Sequence, residues 1–139
     1  MGSMVKVVTN RERFPDDIVH LLYLRMTLDE SADETCQVKY QDEAFHTVLF
    51  KYKKRYPSLL SEFSFKLNGT YPYSELIDRI KLRAQLADLI SPSQDSQSNF
   101  TMKSDIKEVI KGGTESKFSS SELQILDKIA SDISQYNQF

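Results

Sequence analysis

Apolar positions recur at helical spacing through most of this chain. Ile18, Leu21, Leu22 and Met26 mark one face, and Val19, Tyr23 and Leu24 widen it. Pro15 suits a first helical turn, and Asp16 and Asp17 suit its positive end, so the spacing predicts a helix over Pro15–Leu28. Ahead of it, Val5, Val7 and Val8 read as a short strand or an arm. Ala44, Phe45, Val48, Leu49 and Tyr52 predict a second helix over Glu43–Tyr56, which Pro57 stops. Ser58 then offers a cap for a short helix over Leu59–Phe63. A further helix, Glu75–Asp88, follows the cap Ser74, with Leu76, Ile77, Ile80, Ala84 and Ala87 on its inward side. Ser104 or Asp105 starts a short helix with Ile106, Val109 and Ile110 inward, and Gly112-Gly113 ends it. The last helix, Ser121–Gln135, carries the stripe Leu123, Leu126, Ile129, Ala130 and Ile133, with caps available at Ser119–Ser121.

Between the helices the pattern changes. Asp29–Asp42 is polar and acidic and reads as a loop, with Gln37–Tyr40 briefly extended. Lys66-Leu67-Asn68-Gly69-Thr70-Tyr71-Pro72 carries the punctuation of a turn. Leu89-Ile90 and Phe100-Thr101-Met102 read as two short strands of a hairpin around the polar run Ser91–Asn99. The expectation is a mainly α chain. Its core spans 43–111, with an N-terminal helix and acidic loop over 4–42 and a C-terminal helix over 112–139 packed on that core. Met1-Gly2-Ser3 before Met4 reads as a cloning remnant.

Composition narrows the classes. The chain has 139 residues, with 40% hydrophobic and 11% aromatic, enough for a real core. A net charge of -2 argues against a generally basic, histone-like nucleic-acid binder. Cys36 is the single cysteine and there are two histidines, which argues against a disulfide framework and a structural zinc site. No apolar run approaches the ~18 residues of a membrane span, and no signal-peptide pattern is present. These features predict a soluble, cytoplasmic protein with no membrane contact.

The order helix, helix, turn, helix, strand, polar loop, strand resembles a winged-helix domain, in which a hairpin loop forms the wing. The residues that carry the likeness are Pro72-Tyr73-Ser74-Glu75-Leu76, the helix to Leu86, Ala87-Asp88-Leu89-Ile90, and the return strand Asn99-Phe100-Thr101-Met102. About half the chain is covered. The Tyr-Pro-Tyr-Ser helix start and the terminal helix are similar to winged-helix adaptor or regulator subunits of bacterial accessory type, found in defence and mobile-element operons. The resemblance implies a winged-helix-like core, helices plus a small β-hairpin, that recognises a partner.

Two surfaces could serve such a partner. The outward side of Glu75–Asp88 presents Leu82 and Leu86, one turn apart and off the main core stripe. With Tyr71 and Tyr73 they form the candidate docking patch for a partner protein or a second copy of the chain, the latter giving a dimer. Buried packing within the same chain is the simpler reading of that leucine pair. The second surface is charged. From His46 to Arg83 eight basic residues stand against three acids, whereas Asp16 to Glu43 is strongly acidic. Lys51, Lys53, Lys54, Arg55, Arg79, Lys81, Arg83 and Gln85 are therefore the candidates for DNA contact, with Ser93–Asn99 as the wing. Against this, Glu75 and Asp78 share the helix, and cations at the end of the second helix also offset its dipole. The crowd of aromatics from Phe45 to Tyr73, interleaved with Lys51, Lys53, Lys54 and Arg55, reads either as a stacking surface for single strands or as core and interface.

Catalytic signals are sparse. His20 and His46 sit beside apolar neighbours and read as partly buried helix histidines. Cys36, in an acidic loop, would be a poor nucleophile. No phosphate-binding glycine loop and no EF-hand spacing is present. The sequence therefore points to a protein that is not an enzyme, with no cofactor, metal or small-molecule substrate: an adaptor or regulatory subunit. The alternatives are a winged-helix DNA-binding transcriptional regulator, or an immunity or inhibitor protein using the acidic Asp29–Glu43 loop.

Overall fold

The computed structural model describes residues 12–27, 35–92 and 99–136. The expected cloning remnant, the Val5–Val8 arm, most of the acidic loop and the wing positions 93–98 lie outside the described residues. Among these residues five α-helices and three short strands follow in the order α1 (Pro15–Arg25), β1 (Thr35–Val38), α2 (Asp42–Arg55), α3 (Glu75–Leu86), β2 (Ser91–Pro92), β3 (Phe100–Lys103), α4 (Ser104–Val109) and α5 (Ser120–Ser134). The fold is mainly helical with a small antiparallel sheet, as the hydrophobic pattern predicts.

α1 is the central helix. Ile18, Val19, Leu21, Leu22, Tyr23 and Leu24 are all buried, so it is apolar nearly all round. That pattern requires cover on every side. α5, α3 and the turn Ile110–Thr114 pack against it. Its start is fixed by Asp17, whose carboxylate accepts the backbone N–H of Phe14 at 2.9 Å and pairs with Lys117 at 3.1 Å. α2 packs on α5 as well. α5 begins with a reciprocal cap: Ser119 Oγ accepts the Glu122 N–H, and the Glu122 carboxylate accepts the Ser119 N–H.

β3 lies between the other two strands, pairing with β1 through Cys36↔Met102 and Val38↔Phe100 and with β2 through Ser91↔Thr101. Four aromatic rings meet beneath the sheet: Tyr23, Tyr40, Phe45 and Phe100, with Tyr40 stacked on Phe100 at 4.7 Å. Elements from 4–42, 43–111 and 112–139 thus contribute to one core.

Several boundaries move. α1 ends at Arg25 rather than Leu28. Cys36 lies in strand β1, buried with its thiol toward the Met102 carbonyl, rather than in a loop of carboxylates. The expected helix Leu59–Phe63 is a run of turns, its backbone held by Leu60 N–H to the Tyr56 carbonyl and Phe63 N–H to the Leu60 carbonyl. The first hairpin strand is Ser91–Pro92, just beyond Leu89-Ile90, because Leu89 and Ile90 N–H groups still bond back to the Ala84 carbonyl. Gly112-Gly113 does not end the short helix but lies in a wide turn continuing to Thr114. Val109 points outward at 66% exposure, and Ile110 takes the buried place.

Candidate interaction surface and the buried histidine cluster

α3 is anchored by Ile77, Ile80 and Ala84, all buried. At 100° per residue these three centre on one side of the helix, and Leu82 and Leu86 fall on the opposite side. The structure leaves both leucines open, at 54% and 78% exposure. Among the described residues no element buries them. They form an apolar pair one helical turn apart, pointing away from the core.

The charges beside that pair are already matched. Arg83 grips Asp16 of α1 through two hydrogen bonds, at 2.9 and 3.1 Å. Lys81 donates to Asp42 of α2 at 3.1 Å. Glu75 takes Lys66 at 3.0 Å and Arg79 at 3.6 Å. Three of the basic residues named as DNA contacts, Arg79, Lys81 and Arg83, are therefore engaged with carboxylates of this chain. Gln85 is half-buried on the flank.

The tyrosines are placed elsewhere. Tyr73 lies parallel to the ring of His46, with centroids 5.0 Å apart and planes 6° apart, and Tyr71 approaches the same ring at 5.8 Å. They cover the N-terminal approach to α3, where Tyr73 also donates to the Asp78 carboxylate. The expected patch thus divides into an open leucine pair and a tyrosine lid over a histidine.

That histidine is the centre of a cluster the sequence reading missed. His46 is fully buried. Its Nδ1 accepts the backbone N–H of Ser74, the residue before α3, at 3.0 Å. In the neutral ring the proton therefore sits on Nε2. Nε2 lies 3.5 Å from Asp78 Oδ1, too far for a good hydrogen bond, and has no other partner among the described residues. Burial lowers the His46 pKa, opposed by the charges of Asp78 and Asp42. Burial also pushes the Asp42 carboxyl upward, yet the Tyr40 hydroxyl and the Lys81 ammonium hold it below its ordinary value. Hydrogen bonding to Asp78, followed by burial, drives the Tyr73 phenol up to about 12. The available signal was the four-residue step from Asp42 to His46, which puts both on one side of α2.

Ligand atoms of Asp42, His46 and Asp78 lie within 4.8 Å of one another, close enough to invite comparison with a metal centre. The donor set does not suit one. Nδ1 is occupied by Ser74, Nε2 carries the proton, and the Lys81 ammonium already neutralises Asp42. The cluster is built as a clamp: it fixes the segment 71–74 to α2 and so sets where α3 begins.

The remaining basic candidates lie at the end of α2. Lys53 donates to the Phe63 carbonyl and ties down the turns that follow the helix. Lys51, Lys54 and Arg55 are exposed. Of the acidic loop proposed for an inhibitor, only its end from Thr35 onward is described, and Asp42 there is paired with Lys81. No helix among the described residues is long and apolar enough to cross a membrane. No protein-family model, curated protein or solved structure matches this chain.

Proposed function

We propose that this chain is a non-enzymatic adaptor or regulatory subunit that docks a partner protein on the outward face of α3. The observation that carries the reading is the open Leu82–Leu86 pair, directed away from Ile77, Ile80 and Ala84. Two large apolar side chains exposed together favour an apolar contact. Arg79, Lys81 and Arg83 beside them are balanced by Glu75, Asp42 and Asp16, so the rim is close to neutral. Such a rim suits a neutral, apolar partner face better than a phosphate backbone. A pair of leucines is a small patch, which favours a reversible contact over a permanent assembly. The winged-helix resemblance enters the proposal through the hairpin β2–β3, which follows α3 as a wing would.

Photocrosslinking in the native host tests this directly. A photoreactive residue at position 82 or 86 is expected to capture a discrete protein, while the same residue at exposed Ser131 captures none of it. Leu82→Asp combined with Leu86→Asp is expected to abolish that capture from a probe at Arg79. Capture of a second copy of the chain would make the partner the protein itself. Equal capture at Ser131, or capture that survives the double substitution, would overturn the assignment. Light scattering with a DNA duplex at low and high salt separates the regulator alternative. A complex that salt dissolves and that Lys81→Glu with Gln85→Ala prevents would place α3 in a groove instead.

A further inference from the structure

Some cations of the described residues are paired with carboxylates and others are not. Arg13, Arg25, Lys66, Arg79, Lys81, Arg83 and Lys117 each lie within ion-pair distance of a carboxylate. Lys39, Lys51, Lys53, Lys54, Arg55, Lys103, Lys107, Lys111 and Lys128 have no carboxylate at that distance among the described residues, and of these Lys51, Lys54 and Arg55 are exposed together at the end of α2, set among aromatic rings. A helix C-terminus tolerates such a group, because its dipole is negative there. The dipole does not explain the aromatic rings set among them.

By helical spacing Phe50, Lys54 and Lys51 face away from buried Phe45, Leu49 and Tyr52, and Arg55 lies on the flank of α2 next to Lys51. Phe50 is half-buried and meets the edge of half-buried Phe65, with centroids 5.4 Å apart and planes at 67°. Lys54 Nζ stands 4.8 Å from the centre of the Phe50 ring, and the Arg55 guanidinium 5.5 Å from that of Tyr52. Half-buried Tyr56 stacks on Tyr52 at 6.0 Å. The result is a strip in which three cations without a carboxylate partner lie between half-buried Phe50 on one side and half-buried Tyr56 on the other.

We propose that this strip binds single-stranded nucleic acid. Lys51, Lys54 and Arg55 meet successive phosphates, and Phe50 and Tyr56 offer faces on which unpaired bases stack. Rings beside cations are what a flexible strand needs, since it presents charge and π-surface together. A duplex keeps its bases stacked inside and uses only the charges. An acidic peptide likewise uses only the charges and leaves the rings without a role. The site is separate from the leucine pair of α3 and does not depend on the docking reading.

Fluorescence anisotropy with a labelled oligothymidylate of about 15 nucleotides, a length within reach of one small binding surface, tests the proposal. The full chain is expected to bind at low salt, with log K falling against log salt at a slope near about -2 for three phosphate contacts. Lys51→Glu, Lys54→Glu and Arg55→Glu together are expected to weaken binding at least tenfold. Phe50→Leu, which keeps every charge, is expected to weaken it about fivefold or more through lost stacking. Leu82→Asp with Leu86→Asp is expected to leave it unchanged. Circular dichroism of each variant confirms that the helices remain. Failure of the unaltered chain to bind at low salt would overturn the proposal, as would binding that survives the triple reversal. Competition by polyglutamate equal to that by unlabelled oligothymidylate, with no effect of Phe50→Leu, would assign the strip to an acidic protein instead.

Discussion

The imidazole of His46 holds the backbone N–H of Ser74, 28 residues further along the chain, at 3.0 Å in a site closed to water. Removing it strands a buried donor at the start of α3. His46→Ala is expected to cost about 2–4 kcal/mol, from an unpaired N–H and a cavity beneath Tyr73. His46→Asn returns an acceptor near the position of Nδ1 and should recover part of that loss. Urea unfolding measures both.

The same histidine makes stability depend on pH with a definite sign. Its folded pKa lies below the ordinary 6.5, because burial opposes the charge. The unfolded chain therefore takes up a proton as pH falls through 6.5 while the folded chain does not, and stability drops. His20, lowered by burial, adds in the same direction. The contribution is fully present above the unfolded value and is lost toward the folded one. The urea midpoint is expected to fall between about pH 7.5 and 5.5, and to fall less in His46→Asn.

Leu82 and Leu86 carry the docking proposal only if they do little for the fold. Leu82→Asp with Leu86→Asp is expected to change unfolding free energy by no more than about 0.5 kcal/mol per site, as for open surface positions. A loss of several kcal/mol would mean that the pair is covered within the chain.

Asp88 follows α3 with φ of 63°, the one non-glycine residue with positive φ among those described. A side chain resists that conformation, and aspartate tolerates it better than most. Asp88→Gly is expected to raise stability by about 0.5–1 kcal/mol, the relief outweighing the added freedom of the unfolded chain. Asp88→Val is expected to lower it, and thermal melts will rank the three.

Tyr52 fastens α2 to α5 by donating to Asp132 at 2.6 Å. Burial, and then that bond, pushes its phenol up to about 12. Tyr52→Phe is expected to cost about 0.5–1.5 kcal/mol. Alkaline absorbance titration should show one late phenol fewer in the variant.

How much of this could be read from letters alone depended on range. The start of α5 was legible at Ser119, because its cap is completed three residues away by Glu122. The outward aspect of Leu82 and Leu86 was legible too, since helical angle alone separates them from Ile77, Ile80 and Ala84. Whether another element covered them was not, and the structure leaves them open. β1 was anticipated only in part, as extended chain over Gln37–Tyr40 rather than Thr35–Val38, because only Cys36 and Val38 alternate inward, and they are buried through a strand far along the chain. The His46 cluster was missed for a similar reason. Asp42 is local to it, but Ser74, Asp78 and the tyrosine lid arrive only when α3 docks.

The pairing of β1 with β3 also bears on how the protein is made. Cys36 and Met102 are 66 residues apart, and Arg13 meets Glu122 across 109. Closing contacts of that reach carries an entropic cost that local helices do not meet. On the ribosome, α1 emerges early, apolar on nearly every side, and waits until α5 is synthesised for its cover. A nascent chain in that interval exposes its stickiest helix. Ribosome-stalled chains ending near Ser119 should therefore recruit chaperones, and chains long enough to release α5 should not.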